Sequence, residues 1–320
     1  MTTDHVIKRF RDGGVLFDGA LGTMLIAKGL RPGQPPEEWN RGRPLVVREI
    51  YSSYLEAGSE VISTNTFGGN RSRLRAYGLE AAADELNAAG VTLAREAVSE
   101  FASKFGGHDS TSKTPPRSSS GKQVSFRRRL IAVSLGPTGR FLPPVGDATE
   151  QEIEDEIAAQ IQGIKAEFDL IVIETMYDLR EALAALAAAK GSATVPVAVQ
   201  LTFNKNPRGF FTIMGDEAAR AAKTLEDSGA DVVGANCSIE SAEMIELGRI
   251  LRGSKDLPIL CQPNAGKPRL EDGTAVYDQA PAAFAQDALT LFEIGVNAVG
   301  GCCGTTPAFI HEVSTGLTKR

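Results

Sequence analysis

The chain has 320 residues, 42% of them apolar, which suffices for one large hydrophobic core and is on the high side for a single compact domain. Its 34 Lys and Arg against 40 Asp and Glu give a formal charge of −6, so no basic balance invites nucleic acid. The opening residues MTTDHVIKRF carry charges where a signal peptide needs an apolar stretch, and no later segment reaches membrane-spanning length, which points to a cytoplasmic protein with no membrane contact.

In chain order, short β-rich runs alternate with helical stretches eight times. The runs cover residues 15–20, 60–67, 130–137, 170–176, 196–203, 231–237, 258–265 and 296–303. Most are nearly continuous apolar segments, as expected of parallel strands covered on both faces. Eight βα units predict an α/β fold, a (β/α)8 TIM barrel forming one domain over residues 1–320. A doubly wound sheet of that many strands would be unusually wide, and no Gly-x-Gly-x-x-Gly follows the first run as a Rossmann fold requires.

The helices carry their own start and stop cues. Val46, Val47, Ile50, Tyr51, Tyr54 and Leu55 form an apolar stripe ended by Gly58. Ile153, Ile157, Ile161 and Ile164 recur at helical spacing behind Thr149 and Glu152, which read as a capping box. Asp178 and Glu181 repeat that cue before the alanine-rich residues 182–190. Thr306 and Pro307 read as the N-cap and first position of a last helix.

Two segments break the pattern. Residues 106–129 are polar and rich in Ser, Pro and Gly, too poor in apolar groups to offset the entropy of ordering, and predict a disordered insertion on the N-terminal face of the barrel. Arg127, Arg128 and Arg129 at its end suggest, as a second reading, docking to an acidic partner. Residues 204–216, with Lys205 and Arg208, read as a long solvated loop or a docking surface at the mouth.

In a barrel, polar residues at the C-terminal ends of strands are the catalytic candidates. Here they are Asp18 with Gly19 and Ala20, Thr64 with Asn65, Glu174, Cys237, Asn264, and Cys302 with Cys303. Glu174 follows four apolar residues, which sets it near the mouth, although pairing with a neighbouring basic side chain would serve it as well. Asp18 has the same alternative, and Asp-Gly is also a common turn. The three histidines fall at the N-terminus, in the polar insertion and on the last helix, so a His-ligated metal is not expected.

Four cysteines in a chain this long are too few for a disulfide scaffold. Cys302 and Cys303 stand at a strand-to-helix turn, with Gly300, Gly301 and Gly304 supplying backbone freedom. The pair reads as two buried core thiols, a vicinal disulfide, or two legs of a metal site. Cys237, closing another strand at the same end, adds a third thiol and fits zinc with an open fourth position. Cys261 precedes Asn264 by three positions on one strand and therefore points to the opposite face, which makes it an ordinary buried thiol.

Taken together, Asp18-Gly19-Ala20-Leu21-Gly22-Thr23, Thr64-Asn65-Thr66-Phe67, Leu135-Gly136-Pro137-Thr138, Glu174-Thr175, Asn236-Cys237, Pro263-Asn264-Ala265-Gly266-Lys267-Pro268 and Gly300-Gly301-Cys302-Cys303-Gly304-Thr305-Thr306-Pro307 resemble the homocysteine S-methyltransferases. The likeness is greatest to the homocysteine-binding barrel of cobalamin-dependent methionine synthases. The resemblance covers essentially the whole chain. It implies Zn2+ held by Cys237, Cys302 and Cys303, with the homocysteine sulfur as fourth ligand and Asn264 taking that position when substrate is absent. It also implies that Asp18, Glu174 and backbone near Gly19 and Ala20 hold the amino-acid end, beside Thr64 and Asn65. The implied product is methionine. The 263–268 run resembles the corrinoid-dependent branch, which favours methylcobalamin or a separate methyl-corrinoid protein as a donor that is not tightly bound. S-adenosylmethionine, S-methylmethionine or betaine as donor, and a catalytically idle zinc barrel, are the alternatives. The chain departs from this pattern in its longer insertion and in having room for only one helix after Pro307.

Overall fold

A computed structural model describes residues 3–105, 127–253, 256–271 and 274–319. Eight parallel strands form its centre: β1 (Val15–Leu16), β2 (Val61–Ser63), β3 (Leu130–Leu135), β4 (Leu170–Met176), β5 (Val197–Leu201), β6 (Val232–Glu240), β7 (Ile259–Asn264) and β8 (Ala298–Val299). They neighbour one another in the order β1-β8-β7-β6-β5-β4-β3-β2. The ring closes between β1 and β2, where Phe17 and Val61 form a parallel bridge and the Asp18 amide donates to the Val61 carbonyl at 3.1 Å. The fold is the expected (β/α)8 barrel.

Because side chains alternate along a strand, each strand divides its residues between two cores. Phe17, Leu130, Leu170, Val172, Val232 and Leu260 fill the barrel interior. Leu16, Ile131, Ile171, Val199 and Val233 face the surrounding helices. The same alternation carried towards the C-terminal ends brings Ser134, Glu174, Asn236 and Gln262 onto the interior face, so an apolar floor gives way to a polar layer under the mouth. The floor has a plug. The N-terminal helix Thr3–Asp12 inserts Val6 and Phe10 into the interior cluster, with the Phe10 and Phe17 rings edge-on at 6.0 Å.

The helix cues held in part. Thr149 and Glu152 form the full capping box at the start of Glu150–Gly163, which buries Ile153, Ile157 and Ile161; Gly58 ends Pro44–Ala57 in the left-handed region. Asp178 caps Leu179–Ser192 by accepting from the Arg180 amide, but Glu181 does not complete a box. Glu181 is buried and accepts from the Thr138 amide and hydroxyl at 2.8 and 2.7 Å, so it ties the helix to the loop after β3. The last helix starts at Pro307 as expected, yet Thr306 makes no side-chain cap bond. Its neighbour Thr305 carries the local bonding instead.

Most strand boundaries differ from the sequence reading, and two differ in a way that shapes the mouth. The 296–303 run is regular only at Ala298–Val299, because the backbone beyond it turns across the mouth. The 231–237 run continues to Glu240, and its helix starts at Ser241. Residues 204–211 form a hairpin, Asn204–Asn206 with Gly209–Phe211, in which Lys205 pairs with Glu246 at 2.7 Å. A second hairpin, Arg269–Glu271 with Thr274–Val276, follows β7.

Of the 106–129 insertion, residues 106–126 lie outside the described residues. The three arginines that end it are engaged by this chain on the N-terminal face. Arg128 pairs with Asp169 at 2.8 Å, Arg127 approaches Glu60 at 3.9 Å, and the Arg129 guanidinium lies 5.3 Å from the centre of the Phe101 ring.

Candidate active site

The mouth is built on a seam between the first and last strands. Past β1, the Asp18 carbonyl accepts from the Gly301 amide at 2.9 Å, and the Ala20 amide donates to the Thr305 carbonyl at 3.1 Å. The Thr305 hydroxyl donates to the Cys302 carbonyl at 2.7 Å, and the Tyr54 hydroxyl bonds both the Ala20 and Thr305 carbonyls. A Cβ at Gly301 would stand 2.2 Å from the Thr305 hydroxyl within the same turn, and one at Gly19 would stand 2.7 Å from it across the seam, so glycine on each side lets the backbone close this tightly. Gly304 has φ +84°, and a Cβ there would meet the Tyr277 ring at 2.4 Å. This packing forces Cys302 and Cys303 into a turn rather than a strand. Both thiols can then serve one centre, which a regular pleat would forbid.

Cys237 reaches the same point by a different route. It and Ser238 adopt φ of 60° and 58° inside β6, and the β6–β7 register shifts between Asn236 and Glu240. A left-handed residue redirects the side chain within an otherwise extended run. The sulfurs of Cys237, Cys302 and Cys303 all lie within 4.8 Å of one another, and those of Cys237 and Cys303 are 3.9 Å apart. Thiolates bound at about 2.3 Å around a tetrahedral zinc stand roughly 3.8 Å apart, so this spacing suits that ion and its open fourth position. All four cysteines are free thiols, which removes the vicinal-disulfide reading. Cys261 is fully buried in the core facing the helices, away from the cluster, as its strand position predicted.

Proton affinities in the cluster are unequal. Hydrogen bonds from Cys237 and Cys302 push the Cys303 thiol down, with a further bond from Tyr277, against the effect of burial. Cys302 is pushed up by its bonds to Cys237 and Cys303 and by burial. Three thiols this close together can all turn a sulfur to one dication, which is the chemistry of a soft-metal donor set.

Two carboxylates stand beside the thiols. Asp18 is buried and accepts from the Ser63 amide at 2.7 Å and the Ser63 hydroxyl at 2.9 Å. Burial nonetheless raises its pKa from 3.8 to about 8, with a smaller upward push from the charge of Glu174. Glu174 accepts from the Ser134 hydroxyl at 2.5 Å and from the Asn236 amide at 3.0 Å. Burial raises it to about 7, the Ser134 bond opposes that, and the charge of Cys303 adds to it. Neither carboxylate is paired with a basic side chain among the described residues, so the ion-pair alternatives for Asp18 and Glu174 fall away. A buried, uncompensated pair of this kind is primed for a cation.

The other expected residues fall into two groups. Asn264 ends β7, is buried, and leaves its Oδ1 without a hydrogen-bond partner, an orphaned acceptor beside the residues that seat Cys302 and Cys303. Thr64 bonds Thr66 at 2.7 Å, and the Asn65 amide donates to Pro36 and Asn40, so both side chains are engaged inside the wall. Sequence reasoning missed Ser134 and Tyr277, and it gave Asn236 and Thr305, both within the quoted motifs, no role of their own. Ser134 and Asn236 were accessible through alternation alone, since each shares the inward face of an apolar strand. Tyr277 and Thr305 were not, because their positions depend on packing between loops.

A family model described as homocysteine S-methyltransferase matches residues 15–317. Methionine synthase of Mycobacterium tuberculosis is 32% identical over 318 residues, and that of Mycobacterium leprae 31% over the same length. In both, the match takes in 94% of this chain but 24% of the relative, so the chain spans about a quarter of the length of these curated relatives. Among solved structures, the metallated form of the homocysteine methyltransferase MmuM from Escherichia coli aligns with a TM-score of 0.74 at 22% identity, over 94% of this chain and 96% of that one. That likeness concerns the fold. The family match, by contrast, runs from β1 to the last helix and so contains every residue of the thiol cluster and both carboxylates: the chain belongs to the homocysteine S-methyltransferase family.

Proposed function

We propose that this chain binds homocysteine at the barrel mouth and methylates its sulfur to give methionine. The observation that carries this reading is one constellation: three sulfurs within 4.8 Å of one another beside the buried Asp18 and the part-buried Glu174, neither of which is paired with a basic side chain among the described residues. An amino acid with a terminal thiol complements both halves.

Cys237, Cys302 and Cys303 would hold Zn2+. When bound, the ion supplies a Lewis acid for a fourth sulfur, so that the thiolate predominates at neutral pH although a free thiol has a pKa of about 8.5. Three thiolates offset the metal charge and leave that sulfur electron-rich. Glu174 and Asp18 take the substrate ammonium group, whose charge relieves the burial that raises both carboxyls. The Ser134 and Asn236 bonds fix the Glu174 oxygens in place, and backbone at Gly19 and Ala20 lies within the same seam. Asn264 contributes a buried oxygen with no other partner. In the transfer itself the substrate sulfur forms the new S–C bond, the donor–methyl bond breaks, and the donor keeps the electron pair.

For the donor we propose a methyl-corrinoid, methylcobalamin or a separate corrinoid protein, supported by the similarity to two methionine synthases. A donor screen with homocysteine as acceptor and methionine as readout tests this. Methionine formed from methylcobalamin is the expected result. Turnover with S-methylmethionine, betaine or S-adenosylmethionine and none with a methyl-corrinoid overturns the donor assignment, and no methionine from any donor overturns the enzyme reading.

A further inference from the structure

Two strands lose their regular geometry at the same level of the barrel, and one side chain joins them. In β4, Thr175 adopts φ 59° and the β4–β5 register shifts between Ile173 and Met176. In β6, Cys237 and Ser238 do the same. These two strands are not neighbours, since β5 lies between them. The Asn236 carboxamide, 1% exposed, crosses that gap. Its Oδ1 accepts from the Thr175 amide at 2.8 Å. Its Nδ2 donates to Glu174 Oε2 at 3.0 Å and to Thr175 Oγ1 at 2.8 Å, and lies 3.9 Å from Cys302 Sγ.

A left-handed threonine is strained and persists only where its surroundings over-determine it. The amide meets that condition by bonding the Thr175 backbone and hydroxyl together. The same group orients one oxygen of Glu174, and it belongs to the residue before Cys237. One planar amide therefore sets both the direction of the carboxylate and its separation from the sulfurs.

We infer that Asn236 is the positioning residue that holds the Glu174 carboxylate within reach of the amine of a thiol bound at the sulfur cluster, and so confers the preference for a thiol that carries an amine. This rests on the homocysteine reading above. It assigns Asn236 no contact with the reacting atoms; it acts through Glu174.

The test compares binding of homocysteine and of 4-mercaptobutanoate, the same thiol without the amine, to zinc-loaded protein by calorimetry. Asn236→Asp keeps the shape and the Thr175 bond but turns an oxygen towards Glu174; Asn236→Ala removes the clamp. Metal analysis and melting curves accompany both, with one zinc per chain expected in each because the ligands are unchanged. Loss of a hydrogen bond to a charged group should lower the preference for homocysteine by about tenfold or more in both variants, while affinity for the amine-free thiol changes little. A preference unchanged from wild type in a folded, zinc-loaded variant overturns the inference alone. Wild-type protein that shows no preference overturns the functional reading and the inference with it.

Discussion

Single residues carry the sharpest consequences. Removing one thiolate from a three-ligand site leaves too few donors to retain the ion, so Cys302→Ser is expected to lose zinc, read by metal analysis of purified protein. Cys261 cannot replace it, because it faces the helices. Asp18 gives a pH dependence with a definite sign. Its folded pKa of about 8 lies above the value of about 3.9 in an unfolded chain, so between those limits the folded state binds the extra proton. Stability from this group is therefore fully present below pH 4 and is lost as pH rises through 8. In protein free of metal and substrate, Asp18→Asn should flatten that decline, measured by urea unfolding at pH 5 and pH 8. These residues were legible at different depths. Asp18, Glu174 and the three cysteines followed from strand ends, since chemistry in a barrel gathers there. Asn65 stood in the same kind of place, yet its amide bonds Pro36 and Asn40, partners from two short helices that no strand pattern reveals.

Among the elements, what repeats with a period was readable and what depends on a neighbour was not. The isoleucine stripe of Glu150–Gly163 and its capping box came directly from spacing, and Ile157 is fully buried. Ile157→Ala should cost about 2–5 kcal/mol in chemical denaturation, a transfer loss plus a cavity. The site sulfurs lie on other elements and should bind zinc as before. Glu181 shows the opposite case. Its spacing from Asp178 imitates a capping box, but burial against Thr138 outweighs the local cue. Strand ends were misjudged for a related reason. Left-handed residues at Thr175, Cys237 and Ser238, all inside strands, and the turn at Cys302 depend on contacts between distant segments, and no local propensity favours them in Thr, Cys or Ser.

At the scale of the whole molecule, the barrel separates two faces by an apolar interior. The thiols and carboxylates occupy the C-terminal mouth. The plug helix, the Arg128–Asp169 pair and both flanks of the 106–126 segment occupy the opposite face. Replacing residues 106–126 by a short Gly-Ser linker, with Arg127 to Arg129 retained, should leave homocysteine binding within about twofold of wild type, because the engaged arginines stay in place. A large loss of affinity in a protein of unchanged melting temperature would assign that segment a role at the mouth. The eightfold count of βα units was legible because most of the strands are apolar on both faces, whereas the plug was not, since its short charged helix has just Val6, Ile7 and Phe10 to declare it.

The seam between β1 and β8 bears on how the site comes into being. The turn holding Cys302 and Cys303 takes its shape from Asp18, Ala20 and Tyr54, residues roughly 250 to 285 positions earlier in the chain. Bringing such distant segments together is the slow, entropically costly part of folding a closed barrel. Two of the three sulfur ligands therefore acquire their geometry only when the ring shuts. An ion that prefers the finished arrangement stabilises the shut ring by mass action and leaves a half-formed one unaided. A metal held by these sulfurs would thus act as a thermodynamic latch on the closed ring, and protein stripped of it should open at this seam first.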